Sequence, residues 1–239
     1  MSVVFKRRLK KFLLGLEIVA ILVLGAGLGV AMGTYYQINK VLPPDAALDA
    51  YRAPVGTKIV SSDGVLLAKL AAEYREPIKL VDINKNMRDA IVAIEDARFY
   101  SHSGLDYRGL ARAVWTNLQG GEASQGGSTI TQQLARNMFL SQKKKLSRKI
   151  KEMLIAVQIE RNWTKEQILE AYLNQVYFGS GAYGVKAAAQ TYFGKAVKDL
   201  SLDEAAMIAG LVQRPSEFSP FAVYRKYENY DATRARRDD

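Results

Sequence analysis

"AIEDARFYSHSG", residues 93–104, is the stretch that decides how the body of this chain folds. Met87, Ala90 and Ile91 precede it, and Ile94 lies inside it, all at three- and four-residue spacing. That period gives a helix one buried stripe, whereas a half-buried strand alternates every second residue. On such a helix Glu95 and Arg98, three apart, share a face. Asp96 and His102 stand close by, and Ser103-Gly104 offers a stop. A surface ion pair with a histidine satisfying a backbone group accounts for this grouping. Carboxylate chemistry accounts for it too.

Outward from this stretch the same period recurs. Leu146, Ile150, Met153, Leu154 and Val157 mark a second helix, and Ile168, Leu169, Tyr172 and Leu173 a third. "SLDEAAMIAGLV", residues 201–212, marks a fourth, with Ser201 and Glu204 spaced as a capping box. "TKIVSSDGVLLAKL", residues 57–70, reads as two short strands around a Ser-Asp-Gly turn. The expected class is therefore mainly α with a small β-hairpin element. No internal repeat is visible.

Composition bounds the chemistry. The chain has 239 residues and no cysteine, which excludes disulfides, thiolate nucleophiles and cysteine-ligated zinc. His102 is its one histidine, so a histidine-based metal site is not expected. Acid–base work would fall to carboxylates. Lys and Arg number 34 against 24 acidic residues, a net charge of +10 that suits a polyanionic partner. Nucleic acid, an anionic membrane and a phosphate-bearing substrate all qualify on charge alone.

The N-terminus separates these. "FKRRLKK", residues 5–11, carries five basic residues and is followed by the apolar run "FLLGLEIVAILVLGAGLGVAMG", residues 12–33. A signal peptide's apolar region is usually about 7–15 residues, so this longer run reads as a retained anchor across a core of roughly 30 Å. Tyr35 and Tyr36 fall where an interfacial aromatic belt would lie. The expected organisation is a basic cytoplasmic tail (1–11), a transmembrane anchor (12–36), a linker (37–56) and a body (57–222). The positive flank predicts the N-terminus inside and the body outside the cytoplasmic membrane. Nucleic acid is then not an expected partner. Gly25, Gly29 and Gly33 repeat at the spacing of close helix pairing, though glycine is common in such segments.

Three further segments carry polar chemistry. "GGEASQGGSTITQQLARN", residues 120–137, joins a glycine-rich loop to Ser128, Thr129, Thr131, Gln132 and Gln133 at a helix start. Exposed amides there suit phosphate or sugar hydroxyls; a flexible loop with a cap is the plainer account. "QKKKLSRKIKEM", residues 142–153, is densely cationic, and Arg148 and Glu152, four apart, project together. It could be a solvated face, a lipid-resting helix or a diphosphate grip. "TKEQILEAYLNQVYFGSGAYG", residues 164–184, interleaves aromatics with glycines as a saccharide groove might, although Tyr172 at helical spacing suits the core.

Together the four segments resemble the peptidoglycan glycosyltransferase (transglycosylase) domain of bacterial class A penicillin-binding proteins. The pattern EDxxFxxHxG is met by Glu95, Asp96, Phe99, His102 and Gly104, and GGSTxTQQ by residues 126–133. RKxxE is met by Arg148, Lys149 and Glu152, and KxxILxxYLN by Lys165 to Asn174. The resemblance implies a lysozyme-like helical fold with a small membrane-dipping subdomain. It implies polymerisation of lipid II into β-1,4-linked glycan strands at the outer face of the bacterial cytoplasmic membrane, with inversion and release of undecaprenyl pyrophosphate. Its partners are then lipid II, the growing strand, membrane lipid and other cell-wall synthesis proteins.

Carried onto this chain, the resemblance makes Glu95 the general base and Glu152 the second catalytic carboxylate. Asp96 and Arg98 would hold Glu95. Ser128, Thr129, Gln132, Gln133, Arg136, Asn137, Lys144, Arg148, Lys149, Lys151 and Gln213 would line the substrate sites. The family usually has lysine at 136, and Arg136 keeps the charge. His102 and Gly104 would be structural. No cofactor is expected, save a divalent cation (Mg or Mn) near Glu152. "DATRARRDD", residues 231–239, resembles the start of a linker (223–239) toward a transpeptidase domain, so the chain reads as the N-terminal portion of a bifunctional protein; a monofunctional enzyme is the alternative. A membrane-anchored lytic transglycosylase or muramidase would use a glutamate similarly but needs neither the cationic cluster nor the Ser/Thr/Gln loop. A non-enzymatic anchored scaffold would need no glutamate at all.

Overall fold

The computed structural model describes residues 3–40, 43–51, 57–70, 74–118, 127–140 and 146–220. The chain forms two units, Met1–Leu42 and Pro43–Asp239. The first is one continuous helix, α1 (Val3–Asn39). Within it Leu13–Tyr36, 24 residues, is long and apolar enough to cross a membrane. Gly25, Gly29 and Gly33 lie exposed on this stretch.

The second unit is mainly helical. It opens with α2 (Asp45–Ala50), then β1 (Thr57–Val60), β2 (Leu66–Leu70) and β3 (Tyr74–Arg75). Helices α3 (Lys85–Glu95), α4 (Tyr107–Leu118), α5 (Ile130–Phe139), α6 (Leu146–Asn162) and α7 (Lys165–Gln175) follow. β4 (Ala182–Tyr183), α8 (Val185–Phe193), α9 (Leu202–Leu211) and α10 (Pro215–Phe218) complete the described residues. β1 and β2 pair antiparallel as the expected hairpin, with an irregularity between Ile59 and Val60. β3 and β4 make a two-residue parallel contact that strand periodicity is too short to reveal.

The expected linker holds structure that its two prolines obscured. Pro43 and Pro44 end nothing inside α2; Pro44 supplies the extended residue that starts it. Leu48 is fully buried, the Pro43 carbonyl and Asp45 accept from Gln158, and Tyr51 donates to Gln175. The body therefore begins at Pro43. The segment at 223–239 lies outside the described residues.

α3 runs along α9, burying Met87 and Ile91. Asn84 fixes its start twice over: its side chain accepts from the Met87 amide at 2.9 Å and donates to the Leu200 carbonyl at 2.7 Å. α5 packs on both α6 and α7. Ile168, Leu169, Tyr172 and Leu173 are all fully buried, and Ser201 and Glu204 form the anticipated capping box. α6 differs from expectation. Its deeply buried face is Glu152, Ile155, Ala156 and Ile159, while Ile150, Met153, Leu154 and Val157 are half-buried. Apolar residues occupy two faces of α6, and periodicity cannot announce that a glutamate occupies the inner one.

Candidate active site

α3 ends at Glu95, earlier than Ser103-Gly104 suggested, because Asp96 leaves helical geometry at φ −160°. Two partners hold Asp96. His102 Nε2 lies 3.0 Å from each of its carboxylate oxygens, and the Ile130 amide donates to it at 3.1 Å. Ile130 begins α5, so the carboxylate sits where the helix dipole favours negative charge. Asp96 is buried, and burial of a charge is tolerable with such partners.

Thr129 is the N-cap of α5, accepting from the Gln132 amide, and its own hydroxyl donates to the Gly104 carbonyl at 2.7 Å. Gly104 has φ +88°, and a Cβ there would meet the Ala156 carbonyl oxygen at 2.9 Å. Conformation and close approach both demand glycine. The 96–104 loop is thus stitched to the first turn of α5.

The same turn reaches Glu95. Gln133 Nε2 donates to Glu95 Oε2 at 2.8 Å, and the Tyr172 hydroxyl donates to Gln133 Oε1 at 3.1 Å. Burial, with the nearby Glu95 and Asp96 charges adding to it, holds the Tyr172 phenol well above its ordinary range; Arg136 opposes this. The phenol stays protonated.

One residue earlier the turn faces the other way. Lys149 Nζ donates to Ser128 Oγ at 2.7 Å, to Gln132 Oε1 at 3.1 Å and to Glu152 Oε2 at 3.3 Å. Arg148 pairs with the other oxygen of Glu152. Glu152 is 1% exposed, so two cations compensate a fully desolvated carboxylate. Both its oxygens are committed to protein cations, and no group of three or more His, Asp or Glu able to hold a metal occurs among the described residues. The donor set at Glu152 does not fit a divalent cation.

Other expected residues are more dispersed. Arg98 is not on Glu95's helical face, since α3 has already ended; it pairs with Asp106 instead. Burial alone would raise the Asp106 carboxyl, but the hydrogen bonds from Arg98 and the Gly109 amide, with the charge of Arg98, bring it below its ordinary value. Arg136 is half-buried in the last turn of α5, with Asn137 exposed beside it. Lys151 is half-buried and forms no ion pair with the described residues. Gln213 is exposed just past α9. Lys144 lies outside the described residues, as do Gly120, Gly121 and Gly126.

Asp106 and Glu160 escaped the sequence, and the partners of Lys165 and Asn174 were not legible in their motif. Asp106 directly precedes α4 and accepts from the Gly109 amide, an N-cap pattern legible in principle. Glu160 accepts from Thr131 and from Lys165, and Lys165 also sits 4.4 Å over the Phe99 ring. Asn174 pins the backbone of Ile78 through both ends of its amide. All four polar segments therefore interlock.

A family model described as Transglycosylase matches residues 63–238. The chain belongs to the transglycosylase family. Penicillin-binding protein 1A of Escherichia coli (strain K12) is 48% identical over 210 residues, 88% of this chain and 25% of that protein. Penicillin-binding protein 1A of Vibrio cholerae is 45% identical over 219 residues, 92% of this chain and 26% of that protein. The transglycosylase chain thus spans about a quarter of the length of these curated relatives, 25% and 26%. The crystal structure of penicillin-binding protein 1A from Haemophilus influenzae aligns with 78% of this chain and 18% of that one, at TM-score 0.37 and 24% identity. As a transglycosylase domain, the helical body has glycosyl transfer as its chemistry.

Proposed function

We propose that this domain polymerises lipid II, with Glu95 as general base, on the outer face of the bacterial cytoplasmic membrane and with α1 as its anchor. One observation carries this reading. The start of α5 touches both halves of a two-substrate reaction, Glu95 through Gln133 and the Lys149–Arg148–Glu152 cluster through Gln132 and, just ahead of the N-cap, Ser128. A hydroxyl nucleophile needs a base, and a diphosphate needs cations; here neighbouring residues of one turn serve each.

In the proposed step the 4-hydroxyl oxygen of the lipid II sugar attacks the anomeric carbon of the growing strand. Its proton passes to Glu95. The bond from that carbon to the diphosphate oxygen breaks, and undecaprenyl pyrophosphate leaves with the electron pair. The Gln133 N–H pointed at Glu95 favours the ionised form that a base requires. Lys149, Arg148, Lys151 and Arg136 supply positive charge where the leaving group develops its own. Ser128, Gln132 and Asn137 supply neutral contacts at the same end. Glu152 works by holding Arg148 and Lys149 in place rather than by meeting substrate or metal. Asp96, His102 and Thr129 act through the loop that presents Glu95.

A lytic transglycosylase would also use a glutamate, but Glu152 with its paired cations has no task in that chemistry. The test is incubation of the detergent-solubilised protein with labelled lipid II. Wild type should accumulate polymer, and Glu95→Gln should lose at least about 10²-fold of the rate while still binding lipid II. Polymer formed at the wild-type rate by that variant excludes Glu95 as the base.

A further inference from the structure

We infer that Tyr172 is a positioning residue for Glu95, setting through its hydroxyl which way round the Gln133 amide faces the carboxylate. The inference rests on Glu95 being the base, as proposed above. The two ends of a glutamine amide are alike in shape and opposite in hydrogen-bonding sense. Only the nitrogen end can attract a carboxylate, and Gln133 Nε2 stands 2.8 Å from Glu95 Oε2. What holds the other end is Tyr172, whose hydroxyl reaches Gln133 Oε1 at 3.1 Å.

Tyr172 is 0% exposed, so its proton must find an acceptor inside the protein. Reversing the amide would set oxygen against oxygen at Glu95 and strip the phenol of that acceptor. Both penalties favour one orientation. The relay crosses three helices, from the core of α7 through α5 to the end of α3. Burial chiefly, helped by Glu95 and Asp96, keeps the phenol protonated and hence a permanent donor, with Arg136 the opposing charge. α9, packed along α3, has its acidic residues Asp203 and Glu204 at the far end, where Asn84 meets Leu200. Arg214, just beyond α9, pairs with Glu217.

Tyr172→Phe removes the hydroxyl and keeps the ring. Freed of its anchor, the amide rotates, and Glu95 is less well aimed and takes up its proton at higher pH. Lipid II polymerisation by Tyr172→Phe should show kcat down by about tenfold with KM within about twofold of wild type. The acidic limb of its pH–rate profile should move up by about half a pH unit or more. Tyr192→Phe, which removes a different hydroxyl, partly buried and donating to the Phe178 carbonyl, should leave that limb where it is. Gln133→Met should reproduce the shift, and adding Tyr172→Phe to it should cost little more.

A wild-type profile in Tyr172→Phe, or losses in the two variants that add in full, overturns the inference. If Tyr172→Phe does not fold, an unmoved acidic limb in Gln133→Met overturns it equally. An active Glu95→Gln protein removes the base assignment itself. An inactive Glu95→Gln alongside an unperturbed Tyr172→Phe removes the relay alone.

Discussion

Glu152 shows how differently a residue can act from how its type suggests. A glutamate at 1% exposure would ordinarily neutralise itself or find partners, and here Arg148 and Lys149 meet its two oxygens. Glu152→Gln keeps the shape and removes the charge, leaving two cations facing an amide. That should lower stability by about 3 kcal/mol, the scale of breaking a buried pair, read as a shift in the denaturant midpoint. Lys151→Met, at the position next to Glu152 but without an ion pair among the described residues, should stay within about 0.5 kcal/mol of wild type. Equal losses in the two variants would mean that the cluster is not what holds Glu152. Sequence spacing foresaw the Arg148–Glu152 pair, because four residues on a helix always meet. It did not foresee that Glu152 points inward, nor that Arg98 turns to Asp106, since each depends on contacts made by other elements.

At the scale of elements, capped helix starts decide which side chains meet. α3, α5, α7 and α9 all begin on a side chain that accepts a backbone amide, and Thr164 with Gln167 forms a capping box at α7. α4 depends on Asp106, which also binds Arg98. Because the folded carboxyl is held below its ordinary value, its contribution is present in full above about pH 3.9 and is lost as pH falls through the lowered value. Amide exchange at Gly109 should therefore accelerate below that point, beyond its intrinsic pH dependence. Asp106→Asn should abolish the extra acceleration; its persistence would assign the acid sensitivity elsewhere. α7 and α9 were legible because one continuous apolar face reports burial faithfully. The end of α3 was not, since Asp96 is drawn out of the helix by His102 and Ile130, residues whose proximity only the fold creates.

At the scale of the molecule, the compact body starts at Pro43 rather than after the expected linker. Leu48 is fully buried and Asp45 receives Gln158 and Asn162 of α6. A protein of residues 43–239 should thus be more stable than one of residues 57–239 by about 2–3 kcal/mol, the cost of removing one buried leucine and its neighbours' bonds. Coincident thermal transitions for the two would show that α2 contributes nothing. The family and the broad helical plan could be read from four short motifs; the docking of 43–51 could not, because two prolines look alike in a tether and in a helix start.

The first turn of α5 has a bearing on how this protein can change over generations. Ile130 to Gln133, with Ser128 and Thr129 leading into them, answer to Asp96, Gly104, Glu95 and Lys149 at once. A substitution there that loosens the grip on an inhibitor seated among the cations would misalign the glutamate as well. On the proposed mechanism, escape from such a compound along this turn would carry its own fitness penalty.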